Sequence, residues 1–386
     1  MTGCPDAVTL TADLIRCRSV TPAEGGAISL LEDTLTQAGF SCTRISRGGI
    51  ENLYARWGTA GPVIGFGGHT DVVPTGERAA WSADPFGGEI RDGILWGRGA
   101  TDMKSGVAAF VAAACRIVAE APPEGSIALL ITGDEEGDAR DGTVAILDWM
   151  TETGETLDAC IVGEPTSVAR LGDVIKIGRR GSMTGTLTVR GKQGHTAYPD
   201  RAINPLPVLA RICSRLAASP LDEGSDHFQG STLALTTIDV GNTVSNVIPV
   251  EGRAAFNIRF NDHHTSTGIK DWAAGLVAEE AAGSGCDTTL AWKVSGESFL
   301  TEPGAFTELL ASVVADHCGA RPEMTTGGGT SDARFITRVC PVVELGLVGD
   351  TMHQIDERVP VADIEGLSKI YFDILGRYFA AGISST

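Results

Sequence analysis

Residues 104 to 121, KSGVAAFVAAACRIVAEA, constrain the fold of this chain more than any other stretch. They read as one long helix that is apolar on nearly every side. Pro122-Pro123 ends it, because proline has no N–H to donate and its ring collides with the preceding turn. A helix without a polar face must be buried all round. SIALLIT, residues 126 to 132, follows at once and shows no polar alternation, the mark of a short strand covered on both faces. A buried helix joined to a doubly covered strand requires a layered α/β domain with helices on the faces of a sheet.

The flanking segments repeat the alternation. A helical apolar pattern over residues 9 to 40 is broken at Thr21-Pro22 and Gly25-Gly26, strand-like segments follow at 50 to 57 and 62 to 66, and a helix at 143 to 151 leads to the strand DACIVG at 158 to 163. Near residue 180 the texture changes. SMTGTLTVRG, STLALTTIDVG and GRAAFNIRFND alternate polar and apolar residues, as antiparallel strands with one solvated face do, and helices at about 204 to 218 and 265 to 282 interleave with them. The chain is therefore expected to be α/β, with a mostly parallel sheet flanked by helices over 1–180 and 294–386, interrupted by an inserted α+β domain with an antiparallel sheet over 181–293. Two domains suit 386 residues.

Charge and cysteine usage narrow the function. With 30 Lys and Arg against 49 Asp and Glu, the formal charge of −19 argues against nucleic acid or an anionic membrane as partner. An anionic small substrate would have to be met by locally placed arginines or lysines. The nine cysteines are odd in number, scattered and never spaced C-x-x-C, which fits reduced thiols in a cytoplasmic protein and offers neither a disulfide framework nor a thiolate zinc site. No uncharged run approaches the ~20 residues of a membrane span, and no signal peptide is expected.

Acids and histidines gather just past strand ends or in Gly-rich loops: His69 and Asp71 in GGHTD, Asp102 in GRGATDMK, Glu135 and Glu136 in TGDEEGD, Glu164 in VGEPT, and His353 in TMHQIDE. Ligands of an open α/β sheet collect at the carboxyl ends of its strands, so residues far apart in sequence can meet there. Two imidazoles with several carboxylates and no thiolate form a nitrogen and oxygen set suited to zinc, or to cobalt or manganese in its place. Two tetrahedral ions about 3.5–4 Å apart need roughly one histidine and one carboxylate each plus a shared carboxylate. The chain has that number with one acid to spare. In Glu135-Glu136 neighbouring side chains diverge, so one can bind metal while the other moves a proton. Asp71 would then fix the ring of His69. Taken singly, an Asp-Glu-Glu is a solvated turn and a His in MHQ a surface residue; the ordered set is what points to chemistry.

The ordered motifs GGHTDVVP, WGRGATDMKSG, TGDEEGD, VGEPTS and MHQIDE resemble the dizinc deacylase and carboxypeptidase superfamily. Finer matches, RCRSVTPAEGG, KIGRRGSMTG, GKQGHTAYPDRAINP, SNVIP and GGGTSDARF, resemble its desuccinylases, and the likeness runs along essentially the whole chain. The resemblance implies two Zn2+ per subunit, with Co2+ possible in one site. His69 and Glu164 would hold one ion, Glu136 and His353 the other, and Asp102 would bridge them. Glu135 would be general base and acid, and the peptide after Asp102 would be cis.

The resemblance also implies that the inserted domain is a lid and dimerisation domain. His195 in QGHTAYP would reach the neighbouring subunit of a homodimer and hold the oxyanion. Arg179, Asn246 and Arg259 would contact substrate carboxylates and amide, and Gly328, Gly329, Thr330 and Ser331 the other end of the substrate. Arginine is the natural bidentate clamp for carboxylates. Read alone, His195 is a strand-end histidine, the glycine-rich loop a flexible connector, and each of the others a surface residue. The expected reaction is amide hydrolysis of N-succinyl-LL-2,6-diaminopimelate to LL-2,6-diaminopimelate. Another N-acyl amino acid such as acetylornithine, or a non-catalytic metal-binding homologue, are the alternatives. Neither G-x-S-x-G nor G-x-x-x-x-G-K-[ST] occurs, which speaks against a serine hydrolase or a P-loop enzyme.

Overall fold

Ser126–Thr132 and Val63–His69 are buried along their whole length and run side by side in parallel, in a computed structural model that describes residues 4–382. They lie inside an eight-stranded mixed sheet. Its order is Ser41–Arg47, Ile50–Trp57, Ser126–Thr132, Val63–His69, Ala159–Val162, Val342–Glu344, Val174–Lys176, Glu323–Thr325. The central run from Ser126–Thr132 to Val342–Glu344 is parallel, and antiparallel pairs enter towards either end. The register sets Val63 opposite Ser126 and His69 opposite Thr132, so both strands end at the same level.

Lys104–Glu120 is buried over most of its surface and packs on Val63–His69 and against the helices Ala7–Arg16 and Val361–Ala381. Phe66 stacks on Phe110 at 4.2 Å, and Tyr371 meets both rings edge-on at 5.9 and 5.4 Å. Each buried ring of this kind contributes roughly 1.5–3 kcal/mol, so the aromatic trio anchors the sheet to its helices beneath the strand ends. Thr143–Thr153 packs on Ser41–Arg47, Ile50–Trp57 and Ser126–Thr132. A small three-stranded sheet of Glu89–Arg91, Ile94–Trp96 and Arg358–Pro360 was not expected from the sequence. It joins the segments that lead into Asp102 and out of His353.

The chain divides into two compact units, one formed by residues up to Ile177, Thr301–Thr325 and the stretch from Ser331 onward, the other by Gly178–Leu300 with Thr326–Thr330. The second unit begins and ends a few residues outside the expected 181–293, because Gly178–Arg179 pairs with Phe299–Leu300 where the chain leaves and returns. It is built on a four-stranded antiparallel sheet in the order Thr232–Asp239, Glu251–Phe260, Gly181–Arg190, Asp287–Gly296. Alternate residues of the two inner strands are buried, and Leu187, Val189, Phe256 and Ile258 pack there with Leu209, Ile212 and Leu276 of the helices Leu206–Ala218 and Ser266–Ala281. Among the described residues no helix is long and apolar enough to cross a membrane.

Candidate metal centre

The shared level of the parallel strand ends assembles the site. His69 is the last residue of its strand, Glu135 and Glu136 follow Ser126–Thr132, and Glu164 follows Ala159–Val162. Asp102 stands just before the helix Lys104–Glu120 and is joined to Met103 by a cis peptide. His353 lies in the loop before Arg358–Pro360.

These residues converge on Asp102. Its Oδ1 lies 3.1 Å from His69 Nε2 and its Oδ2 lies 3.4 Å from His353 Nε2. Glu164 Oε1 stands 4.0 Å from His69 Nε2, and Glu136 Oε1 2.8 Å from His353 Nε2. The set is two-sided: one histidine at each oxygen of one aspartate, and a glutamate beside each histidine. Ligand atoms of His69, Asp102 and Glu136 all lie within 4.8 Å of one another, close enough for one cation to touch three residues.

The tautomer of His69 is fixed by the fold. Its Nδ1 donates to the main-chain oxygen of Asp71 at 2.9 Å, and a carbonyl can only accept, so in the neutral ring Nε2 presents a lone pair to the carboxylates. Lone pairs facing oxygens repel unless positive charge lies between them. The surrounding charges make the same demand. Burial opposes charging His69, yet Asp102, Asp71 and Glu164 raise it well above the ordinary histidine value. Hydrogen bonding to Asp102 and Glu136 pushes His353 up to about 10. Asp102 is buried, which works against its charge, but the two imidazoles hold it well below the usual carboxylate range. Lys104, two residues on, turns its ammonium away to the carbonyls of Leu14 and Cys17, each at 2.8 Å. Two imidazoles and three carboxylates in a largely buried place, with the nearby lysine turned aside, make a donor set that fits divalent cations.

Asp71 acts differently from the expectation. Its carboxylate Oδ1 is 3.7 Å from His69 Nδ1, too far for a hydrogen bond, and the main chain fixes the ring instead. The carboxylate accepts the N–H groups of Glu135 at 3.2 Å and Glu136 at 3.1 Å, together with the hydroxyl of Thr21. It therefore orients the loop that carries both glutamates. No hydrogen bond reaches the Glu135 carboxylate among the described residues, and burial, followed by the charge of Glu164, pushes its carboxyl well above the usual range.

Other supports had no counterpart in the sequence reading. Asn52, fully buried, accepts from Thr132 Oγ1 and Gly133 N–H and donates to the carbonyls of Ile45 and Asp141. Asp134 accepts the N–H groups of Arg140 and Asp141. Together they fix both ends of the loop that holds Glu135 and Glu136.

In the second unit, His195 is exposed on a two-residue strand paired with Val247–Ile248. Ala197 N–H donates to its Nδ1 at 3.0 Å, so the neutral ring carries its proton on Nε2. Asn246 is exposed, and its main-chain oxygen accepts Thr196 N–H. Arg179 donates to the carbonyl of Gly329 at 2.9 Å, which ties the expected carboxylate clamp to the Gly328–Gly329–Thr330 loop. Arg259 is held by Asn257 through Nε, while its buried Nη1 finds no partner among the described residues. Ser331 is 1% exposed, and its hydroxyl donates to Glu344 at 2.5 Å, which anchors the end of that loop.

Fold and centre together define a metal-dependent amidohydrolase. The profile of peptidase family M20/M25/M40 matches residues 65–377, and the chain belongs to that family. It is 60% identical, over 97% of its length and 99% of the relative's, to the succinyl-diaminopimelate desuccinylase of Cereibacter sphaeroides. The backbone resembles an M20 metallo-carboxypeptidase from Sulfolobus solfataricus, with a TM-score of 0.79 at 16% identity over 97% of this chain and 100% of that one. It also resembles a dinuclear metal-binding M20 peptidase from Bacillus subtilis, with a TM-score of 0.73 at 15% identity over 96% and 97% of the two chains.

Proposed function

We propose that this chain is a dizinc desuccinylase that hydrolyses N-succinyl-LL-2,6-diaminopimelate to succinate and LL-2,6-diaminopimelate, a precursor of lysine and of cell wall. The observation that carries the reading is the two-sided arrangement about Asp102, with the buried Glu135 carboxylate in the field of Glu164, His69 and Glu136 and free of hydrogen bonds among the described residues. His69 and Glu164 would hold one Zn2+, Glu136 and His353 the other, and Asp102 both; Co2+ fits the same donors in one of the positions. Bound there, the cations polarise an amide carbonyl and make a water easier to deprotonate.

Glu135 takes the proton from that water as its oxygen bonds to the succinyl carbonyl carbon. The same carboxyl then gives the proton to the diaminopimelate nitrogen as the C–N bond breaks. A carboxyl whose surroundings push it upward suits both halves of this task, since it holds the proton between them. The Nε2–H of His195, from the second subunit of a homodimer, holds the oxyanion of the tetrahedral intermediate. Arg179 and Arg259 receive the substrate carboxylates, with Asn246 and the Gly328, Gly329, Thr330 loop at the amide and the far end. The protein acts in the cytoplasm, and nine unpaired thiols suit such a reducing compartment.

Glu135→Gln decides the matter. It should bind metal as the parent does and lose turnover by about 10²–10⁴-fold, the usual contribution of a positioned acid and base. A zinc-loaded Glu135→Gln that still hydrolyses at near parental rate would end the assignment. Comparing turnover of succinyl-diaminopimelate with acetylornithine tests the substrate separately, and faster hydrolysis of acetylornithine would transfer the reading to that amide.

A further inference from the structure

Glu357 closes the MHQIDE segment, yet neither metal nor substrate calls on it. It is fully buried at the entry to Arg358–Pro360, and its carboxylate meets four donors of a single distant segment. Oε1 accepts the N–H groups of Thr101 at 2.8 Å and Asp102 at 3.0 Å, while Oε2 accepts the N–H of Gly99 at 2.9 Å and Arg98 Nη1 at 2.7 Å. Arg98 is buried too, and its other arm donates to the main-chain oxygens of Pro74 at 3.3 Å and His353 at 3.5 Å.

A buried ion pair is a poor device for stability alone, because desolvation offsets much of its attraction and an apolar pair of the same size often does as well. What this pair achieves is register. It joins the backbone under Asp102 to the backbone under His353, two segments about 250 positions apart in the chain. The two histidines need this help unequally. His69 ends a fully buried strand with its ring tied to Asp71, whereas His353 sits in a loop at φ +62° with its side chain 48% exposed.

We propose that Glu357, with Arg98, is a positioning residue that sets Asp102 against His353 and so fixes the cation position between His353 and Glu136. The inference rests on the dinuclear reading above. In Glu357→Gln the amide oxygen can still accept two N–H groups, but the amide NH2 faces donors on its other side. Arg98→Met combined with Glu357→Gln removes the unpaired guanidinium as well.

The experiment titrates metal-free protein with Co2+, followed by calorimetry and by the visible absorption of the bound ion, with thermal melts to show that each variant is folded. The parent should take up two ions per chain. Both variants should take the first within about threefold of parental affinity and the second at least tenfold more weakly, with a changed absorption for the second ion. Should Glu357→Gln alone not fold, the double variant decides. Parental affinity at both steps, or equal weakening of both, overturns the positioning role while leaving the dinuclear reading intact. A parent that binds a single ion overturns the dinuclear reading and this inference with it.

Discussion

Gly106→Ala should destabilise the protein, although the same change in an ordinary helix interior stabilises it. Gly106 lies in the first turn of Lys104–Glu120, and a Cβ there would stand 2.5 Å from the carbonyl oxygen of Gly163, the residue before Glu164. Helix propensity favours alanine over glycine by about 1 kcal/mol. Against this, overpacking a buried contact costs roughly 1–3 kcal/mol, and a backbone carbonyl has no rotamer through which to escape. Gly163 cannot move alone, because its N–H bonds Gly67 and the neighbouring Val162 carbonyl bonds Leu345 N–H. An approach of 2.5 Å to backbone puts the cost at the upper end of that range, so the clash should win by about 1–2 kcal/mol, which for a chain of 386 residues lowers the melting temperature by roughly 1–2.5 °C. The displaced Glu164 should also weaken metal binding, since ligand distances near 2 Å leave little tolerance. Gly376→Ala is the control: it lies on the exposed side of Val361–Ala381 with nothing within 4 Å of its added Cβ, and should raise stability by about 1 kcal/mol. Melting curves and zinc titration of the two variants test the reasoning. A Gly106→Ala protein as stable as Gly376→Ala, with unchanged zinc affinity, would show that the helix and the Glu164 loop do not press on each other.

Two further perturbations probe hydrogen bonding to the backbone. Asn52→Ala leaves two donors and two acceptors short of partners in a fully buried place and should cost about 3 kcal/mol or more in urea unfolding; a loss under about 1 kcal/mol would mean that water replaces the side chain. Asp222 accepts from Ser231, Asn261, Gly224 and His264. Partial burial pushes its carboxyl up, but the bonds from Ser231, Asn261 and Gly224 outweigh this and bring it down to about 2. A carboxyl depressed in the folded state stabilises fully above its unfolded value near 4 and loses that contribution as pH falls through about 2. After allowance for solvent screening, Asp222→Asn should be less stable than the parent by about 1–2 kcal/mol at pH 7, and the gap should close between about pH 5 and pH 2. A gap that holds constant over that range would mean that shape, not charge, decides.

What could be read from the sequence follows from what each element must do. Val63–His69 and Ser126–Thr132 are buried at every residue and Lys104–Glu120 over most of its surface, and such elements are written mainly in apolar and small residues. Ser41–Arg47 escaped because it is an edge strand, part exposed along its length, and SCTRISR has no apolar face to show. The small sheet of Glu89–Arg91, Ile94–Trp96 and Arg358–Pro360 escaped because three residues are too few for a period.

The same logic divides the metal centre. Chemistry restricts a cation's donors to a few side chains, so the proposed donors His69, Asp102, Glu136, Glu164 and His353 stand out by type and by loop context, and the fold brings them together. The groups that hold those donors obey no such restriction. Thr21, Asn52, Asp134 and Glu357 all bind the loops of the centre, three of them through main-chain N–H or C=O groups that every residue carries, with partners from 6 to 258 positions away. Nothing in their own neighbourhoods distinguishes them from surface threonines, asparagines and acids. Ser331 shows the converse: its glycine-rich surroundings suggest a substrate loop, while the partner of its hydroxyl, Glu344, belongs to a strand of the large sheet that only the folded chain brings near.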